Sequence, residues 1–381
     1  MADLLTYGVY VSLLLMEVGL LFFAYKVYVW QENATLDLTK GYSFNFFHLL
    51  ALMLLTLVVA VRYDVGTDWN TYNGLFKSYK NNPLMSFGNQ EMELGYYYVN
   101  RFVIWMGGGS SIVFGALALI AWGLAFKSVP PYLVPLLIFF LFVDEYFFIS
   151  LNLVRQFTAL GIFVYSVKFI VSRHFLKFLL CLLFASLFHL SAVILIPLYF
   201  LPYKRLYNQK LWIITYVITL LLANVPIFIE LFLKLFIRVT EFIPLLNIYV
   251  RYILNEKFGN FRLEVGLGYI FRVAVSLFLL FTSKRVIKAE PKTKAYYTLF
   301  FIGLIIYNLF YMIPLIVRIN HYFIIFRSFI LAFTAWFLWQ EKNAIWKYGV
   351  IGIFVLYIAL YLFAIYNGSH GTAPYQTIFG N

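Results

Sequence analysis

The sequence predicts an all-α, polytopic membrane protein, and three observations carry that prediction. Hydrophobic residues make up 63% of the 381 positions and aromatics 22%, while charged residues are only 12%. A soluble domain carries roughly a quarter charged residues, and no single soluble core could hide this much apolar surface. Apolar runs near the ~20 residues that a spanning helix needs recur along the whole chain. No fixed-period repeat and no low-complexity linker divides it, so residues 1–381 read as a single integral membrane domain.

The first run, 5–25, follows an N-terminus without a basic n-region or a small-residue cleavage site and reads as a retained span. The runs 44–61, 110–126, 132–149, 154–171, 175–201, 211–235, 266–282, 296–317, 322–339 and 346–366 follow, giving about eleven spans by the hydropathy window rule. Three stretches are too polar or too broken to cross: the loops 62–93 and 236–265, and the tail 367–381. Long ordered loops of this kind are usually functional.

Loop charge sets the orientation. The basic segments 168–177 (Lys168, Arg173, Lys177), 204–210 (Lys204, Arg205, Lys210) and 284–294 (Lys284, Arg285, Lys288, Lys292, Lys294) belong on the cytoplasmic side. One plain crossing between Lys177 and Lys204 would put the first two on opposite sides. The run 175–201 is therefore expected to dip in and return, since halves of about 12–14 residues are too short to cross at 1.5 Å per residue. His189-Leu190-Ser191 then sits at the turn. The segments 62–93, 145–156, 236–265, Arg318 to His321 and the tail then face outside. Two short crossings within 93–126 are the alternative reading of the topology.

The net charge of +13 comes from 29 Lys and Arg against 16 Asp and Glu. In a soluble protein that excess would suggest nucleic acid; here it fits anionic headgroups, cytoplasmic loop bias and a phosphate-bearing ligand. The one cysteine, Cys181, excludes an intrachain disulfide. No P-loop, HExxH, paired CxxC or GxSxG is present, and the five scattered His residues argue against a metal site.

The most informative string is Arg62-Tyr63-Asp64-Val65-Gly66-Thr67-Asp68-Trp69-Asn70-Thr71-Tyr72. Gly66 permits a tight bend, and Thr67 or Asp68 can cap a following helix. Trp69, Tyr72, Phe76 and Tyr79 then recur at helical spacing, which predicts a short amphipathic helix. Here the chain resembles the EpsG-like and Wzy-type polysaccharide polymerases. Three further pieces match that pattern in order: Glu93-Leu94-Gly95-Tyr96-Tyr97…Asn100, Asn152-Leu153-Val154-Arg155-Gln156…Ala159, and Ala185-Ser186-Leu187-Phe188-His189-Leu190-Ser191-Ala192.

The resemblance implies a glycosyltransferase on the outer face of the bacterial plasma (inner) membrane, without metal or soluble cofactor. Its donor and acceptor would both be undecaprenyl-diphosphate-linked oligosaccharides. The growing glycan passes from its lipid diphosphate to the sugar end of a new repeat unit. The implied fold is similar to that of lipid-dependent GT-C-type glycosyltransferases and O-antigen ligases. The implied partners are membrane lipid, a flippase and a chain-length regulator, with no nucleic acid.

The residues fit such chemistry. A departing diphosphate gains negative charge, and Arg forks stabilise it well. An Arg within a span costs roughly 2.5–3.5 kcal/mol on insertion scales, so it needs a reason to be there. Arg62, Arg155, Arg251 and Arg318 are the candidates for the diphosphate. Snorkelling to headgroups competes with that role, and Arg101, Arg272 and Arg327 stand in similar settings. For the acceptor proton, His189 and Asp68 lead as catalytic candidates, although a buried His often only bonds a neighbouring helix. Trp69, Tyr72, Glu93, Gln156 and His321 are candidates for the glycan, with interfacial belting as the alternative for the aromatics. Asp144 and Glu145 are expected to pair with Arg155. A flippase of lipid-linked oligosaccharide and a membrane acyltransferase acting on exported polysaccharide are the rival functions.

Overall fold

A computed structural model describes residues 2–30, 41–82, 92–225, 266–311 and 313–380, with Leu231, Lys234, Leu235, Ile237 and Arg238 between them. The described residues are helical apart from loops and one isolated bridge between Arg62 and Thr377. They form two compact units, Met1–Leu201 with Leu331–Asn381, and Pro202–Ile330.

The first unit opens with α1 (Leu4–Trp30) and α2 (Phe46–Val61). Asn45 starts α2 by accepting a hydrogen bond from the His48 amide with its side chain. After α2 come α3 (Trp69–Asn81), α4 (Leu94–Trp105), α5 (Ser110–Phe126), α6 (Val134–Val143), α7 (Tyr146–Asn152), α8 (Val154–Val171) and α9 (Phe175–Ser186). A 3₁₀ stretch, Leu190–Phe200, and a later helix, Ala344–Tyr366, complete it. α5 packs against both α2 and α8. The aromatic residues Trp122, Phe142, Phe147 and Phe157 fill the interior, with Phe142 and Phe147 stacked 4.6 Å apart.

Five helices among the described residues are long and apolar enough to cross a bilayer: Leu4–Trp30, Val154–Val171, Pro291–Phe310, Ile316–Trp339 and Ala344–Tyr366. The pair α6 and α7 makes a sixth if counted as one broken span. Phe46–Val61, Ser110–Phe126, Phe175–Ser186, Leu190–Phe200 and Gln209–Leu222 are apolar but shorter. The count of about eleven spans is thus not confirmed among the described residues, because hydropathy measures an apolar run and not the length of unbroken helix. The run 132–149 shows why: Glu145 adopts φ 66°, and the helix axis turns by 67° between α6 and α7. The basic segment expected as a loop at 284–294 is mostly helix, since Leu267–Ala289 continues through Lys284, Arg285 and Lys288.

The run 175–201 folds back on itself. α9 stops at Ser186, and the chain returns through Leu190–Phe200, bringing the Phe175 ring to 5.0 Å from Tyr199 and 5.4 Å from Phe200. His189 stands at the turn, in extended conformation.

In the second unit, Gln209–Leu222 packs on Lys294–Phe310 and Leu267–Ala289. Trp212 stacks on Phe301 at 4.5 Å, and Asn308 Nδ2 donates to Thr219 Oγ1 at 3.0 Å. The expected loop 236–265, with Arg251, lies outside the described residues save for Ile237 and Arg238.

Candidate functional site

The segments 62–82, 145–156 and 370–378 meet at one end of the first unit. Arg62 follows directly on α2 and is fully buried. Its Nη1 donates to the carbonyls of Val65 at 2.9 Å and Leu151 at 2.5 Å, and its guanidinium lies 4.9 Å over the Phe114 ring. Gly66 takes φ +97°, and an added Cβ would come within 2.9 Å of Asn152 Oδ1 and 3.1 Å of Arg62 Nη1. Only glycine suits that bend. Burial draws the Arg62 guanidinium down to about 10, which leaves it charged at neutral pH.

Asn152 holds the bend from the other side. Its Oδ1 accepts from Thr67 Oγ1 at 2.9 Å, while its Nδ2 donates to the His370 carbonyl at 2.9 Å. The tail then runs beside the loop: Gly66 N donates to the Gly371 carbonyl, Thr67 N to that of His370, Tyr63 N to that of Gln376, and Ile378 N to that of Val61. His370 Nε2 also lies 3.4 Å from Glu145 Oε2. The expected pairing of Asp144 and Glu145 with Arg155 is thus replaced, for Glu145, by one with His370, because Glu145 leaves α6 in the left-handed conformation.

Asp68 occupies the N-cap position of α3, but its side chain makes no capping bond. Trp69, Tyr72, Phe76 and Tyr79 form the buried face of this helix, as their spacing predicts. Trp69 meets Tyr63 at 4.9 Å, and Tyr72 meets Tyr96 at 5.7 Å. The rings of Trp69 and Tyr72 thus take part in packing α3 on the unit.

The second half of the site centres on Glu93, which precedes α4. Its Oε2 accepts from Arg155 Nη1, and its Oε1 accepts from His189 Nδ1 at 2.9 Å and from the Leu190 amide at 3.3 Å. One carboxylate thus holds both a guanidinium and an imidazole. Gly95 makes this possible. Its amide donates to the Leu187 carbonyl at 2.6 Å, and a Cβ there would stand 2.7 Å from that oxygen. The spacing Glu93-x-Gly95 therefore docks the start of α4 on the hairpin turn that presents His189.

Arg155, in the first turn of α8, lies 5.9 Å from the Tyr72 ring and 5.8 Å from the Tyr96 ring. Arg155, Glu93 and His189 keep 20%, 16% and 30% exposure, so a ligand can reach all three. Burial works against ionisation of Glu93. The hydrogen bond from His189 and the charge of Arg155 outweigh it and hold this carboxyl below the ordinary glutamate value. A carboxylate can only accept, so the Glu93 contact puts a proton on Nδ1 and turns Nε2 away from Glu93.

The structure brings together Arg62, Asp68, Trp69, Tyr72, Glu93, Arg155 and His189, all on elements of the first unit. Gln156 is buried beside Arg155 in sequence. Arg318 and His321 stand three residues apart on Pro314–Ile324 of the second unit, hence on one helical face. Arg251 lies outside the described residues. Tyr96, an aromatic for which sugar stacking or an interfacial belt is the expectation, joins the site, and so do Asn152 and the tail residues His370 and Gly371, for which no role is expected. Asn152 and Tyr96 lie inside the matching motifs, whereas the tail stands out only as a polar stretch and not by any one residue.

These features define an all-helical protein of membrane type with an arginine–carboxylate–histidine centre at one end of its helices. The chain belongs to the EpsG family, a family of Wzy-type polysaccharide polymerases, whose profile matches residues 45–377. That match runs from Asn45, the cap of α2, to Thr377, the tail residue bridged to Arg62. No curated protein and no solved structure matches the chain.

Proposed function

We propose that this chain is the glycosyltransferase that joins undecaprenyl-diphosphate-linked oligosaccharide repeat units at the outer face of the bacterial inner membrane. The observation that carries this reading is the single carboxylate of Glu93 binding Arg155 and His189 together. A glycosyl transfer from a lipid diphosphate needs a cation for the leaving group and a base for the acceptor. Arg155 and His189 supply the two within one hydrogen-bonded group.

In the proposed step the acceptor hydroxyl gives its proton to His189 Nε2, and its oxygen bonds to the anomeric carbon of the donor. The anomeric carbon–oxygen bond to the diphosphate breaks, and the electron pair stays on the phosphate oxygen, beside Arg155. Glu93 keeps the imidazole oriented and stabilises the imidazolium that forms. Arg62, tied to main-chain carbonyls, acts as a positioning residue that shapes the loop through Thr67 and Asp68. Asp68 and Gln156 border the glycan path, and Arg251, Arg318 and His321 are further candidates for the diphosphate and sugars.

The hairpin supports the expected topology. α9 rises about 18 Å along its 12 residues, and the 3₁₀ return covers about 22 Å in 11 residues. The hairpin's ends carry Arg173, Lys177 and Lys204, and its turn brings His189 to Glu93 and hence to Arg155, as a re-entrant hairpin with both basic ends on one side would.

The test uses purified protein with lipid-diphosphate repeat units, no nucleotide sugar, no acyl donor and no added metal. A ladder of products one repeat apart is the expected outcome. Transport of intact lipid-linked repeats without a ladder would instead establish a flippase. Activity only after an acyl donor is supplied would establish an acyltransferase.

A further inference from the structure

The helices that build the Arg155 centre carry a second polar group at their other end. Tyr42 and Ser43 precede α2, Lys127 follows α5, and Lys168 lies in the last turn of α8. With Gly41 and Tyr165 they line a cavity of about 300 Å³. Lys168 follows Arg155 by 13 residues, about 20 Å along the helix axis. The two groups therefore mark opposite ends of one bundle.

Lys168 is the anomaly in this cavity. It is only 7% exposed, and its Nζ stands 3.5 Å from the Tyr165 ring centroid and 5.2 Å from that of Phe169. Lys127 Nζ lies 4.8 Å over the Phe44 ring. Among the described residues neither lysine has a carboxylate partner. The groups that act electrostatically on Lys168 are Lys127 and Lys177, both cations, and the Cys181 thiol. The stem of Lys168 is buried while its ammonium faces the cavity, where aromatic faces offset only part of the cost of having no anion beside it. The ring contacts also leave its three N–H donors without a strong acceptor.

We propose that this cavity binds the phosphate of an anionic lipid headgroup, at the end of the bundle opposite the Arg155 centre. Lys127 and Lys168 would take the phosphate charge, and the hydroxyls of Ser43 and Tyr165 would complete its hydrogen bonding. The Tyr42 hydroxyl is already given to the Phe126 carbonyl at 2.7 Å. A lipid suits the cavity better than a free anion. It opens at the last turn of a spanning helix, where headgroups lie. Nearby, Phe175 and Leu176 are 37% and 65% exposed, and they offer apolar surface to acyl chains.

The experiment reconstitutes the full chain in nanodiscs of mixed phosphatidylglycerol and phosphatidylcholine and counts the lipids that stay bound after release, by native mass spectrometry. The wild type is expected to keep a phosphatidylglycerol whose occupancy falls roughly tenfold in Lys127→Glu and in Lys168→Met. Retention of phosphatidylcholine should not change, and millimolar inorganic phosphate should not displace the lipid. Lys127 is exposed, so its variant decides the matter alone if Lys168→Met fails to fold. Equal phosphatidylglycerol retention by wild type and Lys127→Glu overturns the proposal, and so does ready displacement by inorganic phosphate.

Discussion

Arg62 and Arg155 stand at the same end of the first unit, one at the exit of α2 and the other at the entry of α8, yet they are held in opposite ways. Arg62 is sealed from solvent and gives its Nη1 to two main-chain carbonyls. Arg155 keeps 20% exposure and is held by a carboxylate that also holds a histidine. A main-chain carbonyl is a fixed acceptor, so an arginine spent on two of them sets the shape of a loop. A carboxylate is an anion, and another anion such as a diphosphate can take its place. The two residues differ in their acceptors, main-chain carbonyls for Arg62 and a shared carboxylate for Arg155.

The sharpest way to break this contrast is Arg155→Ala. It should lower the rate of chain extension by about 10³-fold or more and lower the melting temperature only modestly, by the share of the Glu93 pairing it removes, read from product ladders and thermal unfolding in detergent. Near-normal polymer from that variant would remove Arg155 from the reaction. His189→Ala should lower the rate by about 10²–10⁴-fold. Glu93→Gln should cost less, because its amide oxygen still accepts from Nδ1; equal losses would mean that Glu93 acts on substrate directly.

Arg62→Ala probes the other side of the contrast. Two buried carbonyls lose their donor, and stability should fall by about 2–4 kcal/mol, with Arg62→Lys recovering part of it. A variant as stable as wild type but inactive would reverse the roles assigned to the two arginines. The smallest effect concerns pH. The Glu93 carboxyl is held below its unfolded value of 4.5. Its contribution to stability is therefore fully present above that value and fades as the pH falls through the lowered one. Unfolding curves between neutral pH and pH 3 should show this loss in the wild type and lack it in Glu93→Gln.

Much of this arrangement was legible in the sequence, and what was not had physical causes. The fold-back of 175–201 could be foreseen because Arg173, Lys177, Lys204 and Arg205 cannot easily lie on opposite sides. The lengths of the individual helices could not, because breaks such as the one at Glu145 fall inside runs whose mean hydropathy stays high. Glu93, Arg155 and His189 each stood in a recognisable motif, but their convergence depends on Gly95 touching Leu187, a contact between segments 92 residues apart in the numbering. Glu145 looked like the partner of Arg155 because it is near in sequence. A left-handed residue sent it to His370 instead.

The tail that zips along the Arg62 loop also imposes an order of events on biosynthesis. A ribosome must add more than 300 residues after Arg62 before Gln376 and Ile378 exist to receive and give their bonds. Until then the turn at Gly66 lacks half of its main-chain partners, while α5 and α8 can already have met. The Arg62 loop is thus completed only after residues 370–378 have been made, whereas Glu93, Arg155 and His189 depend on no tail residue for their mutual bonds.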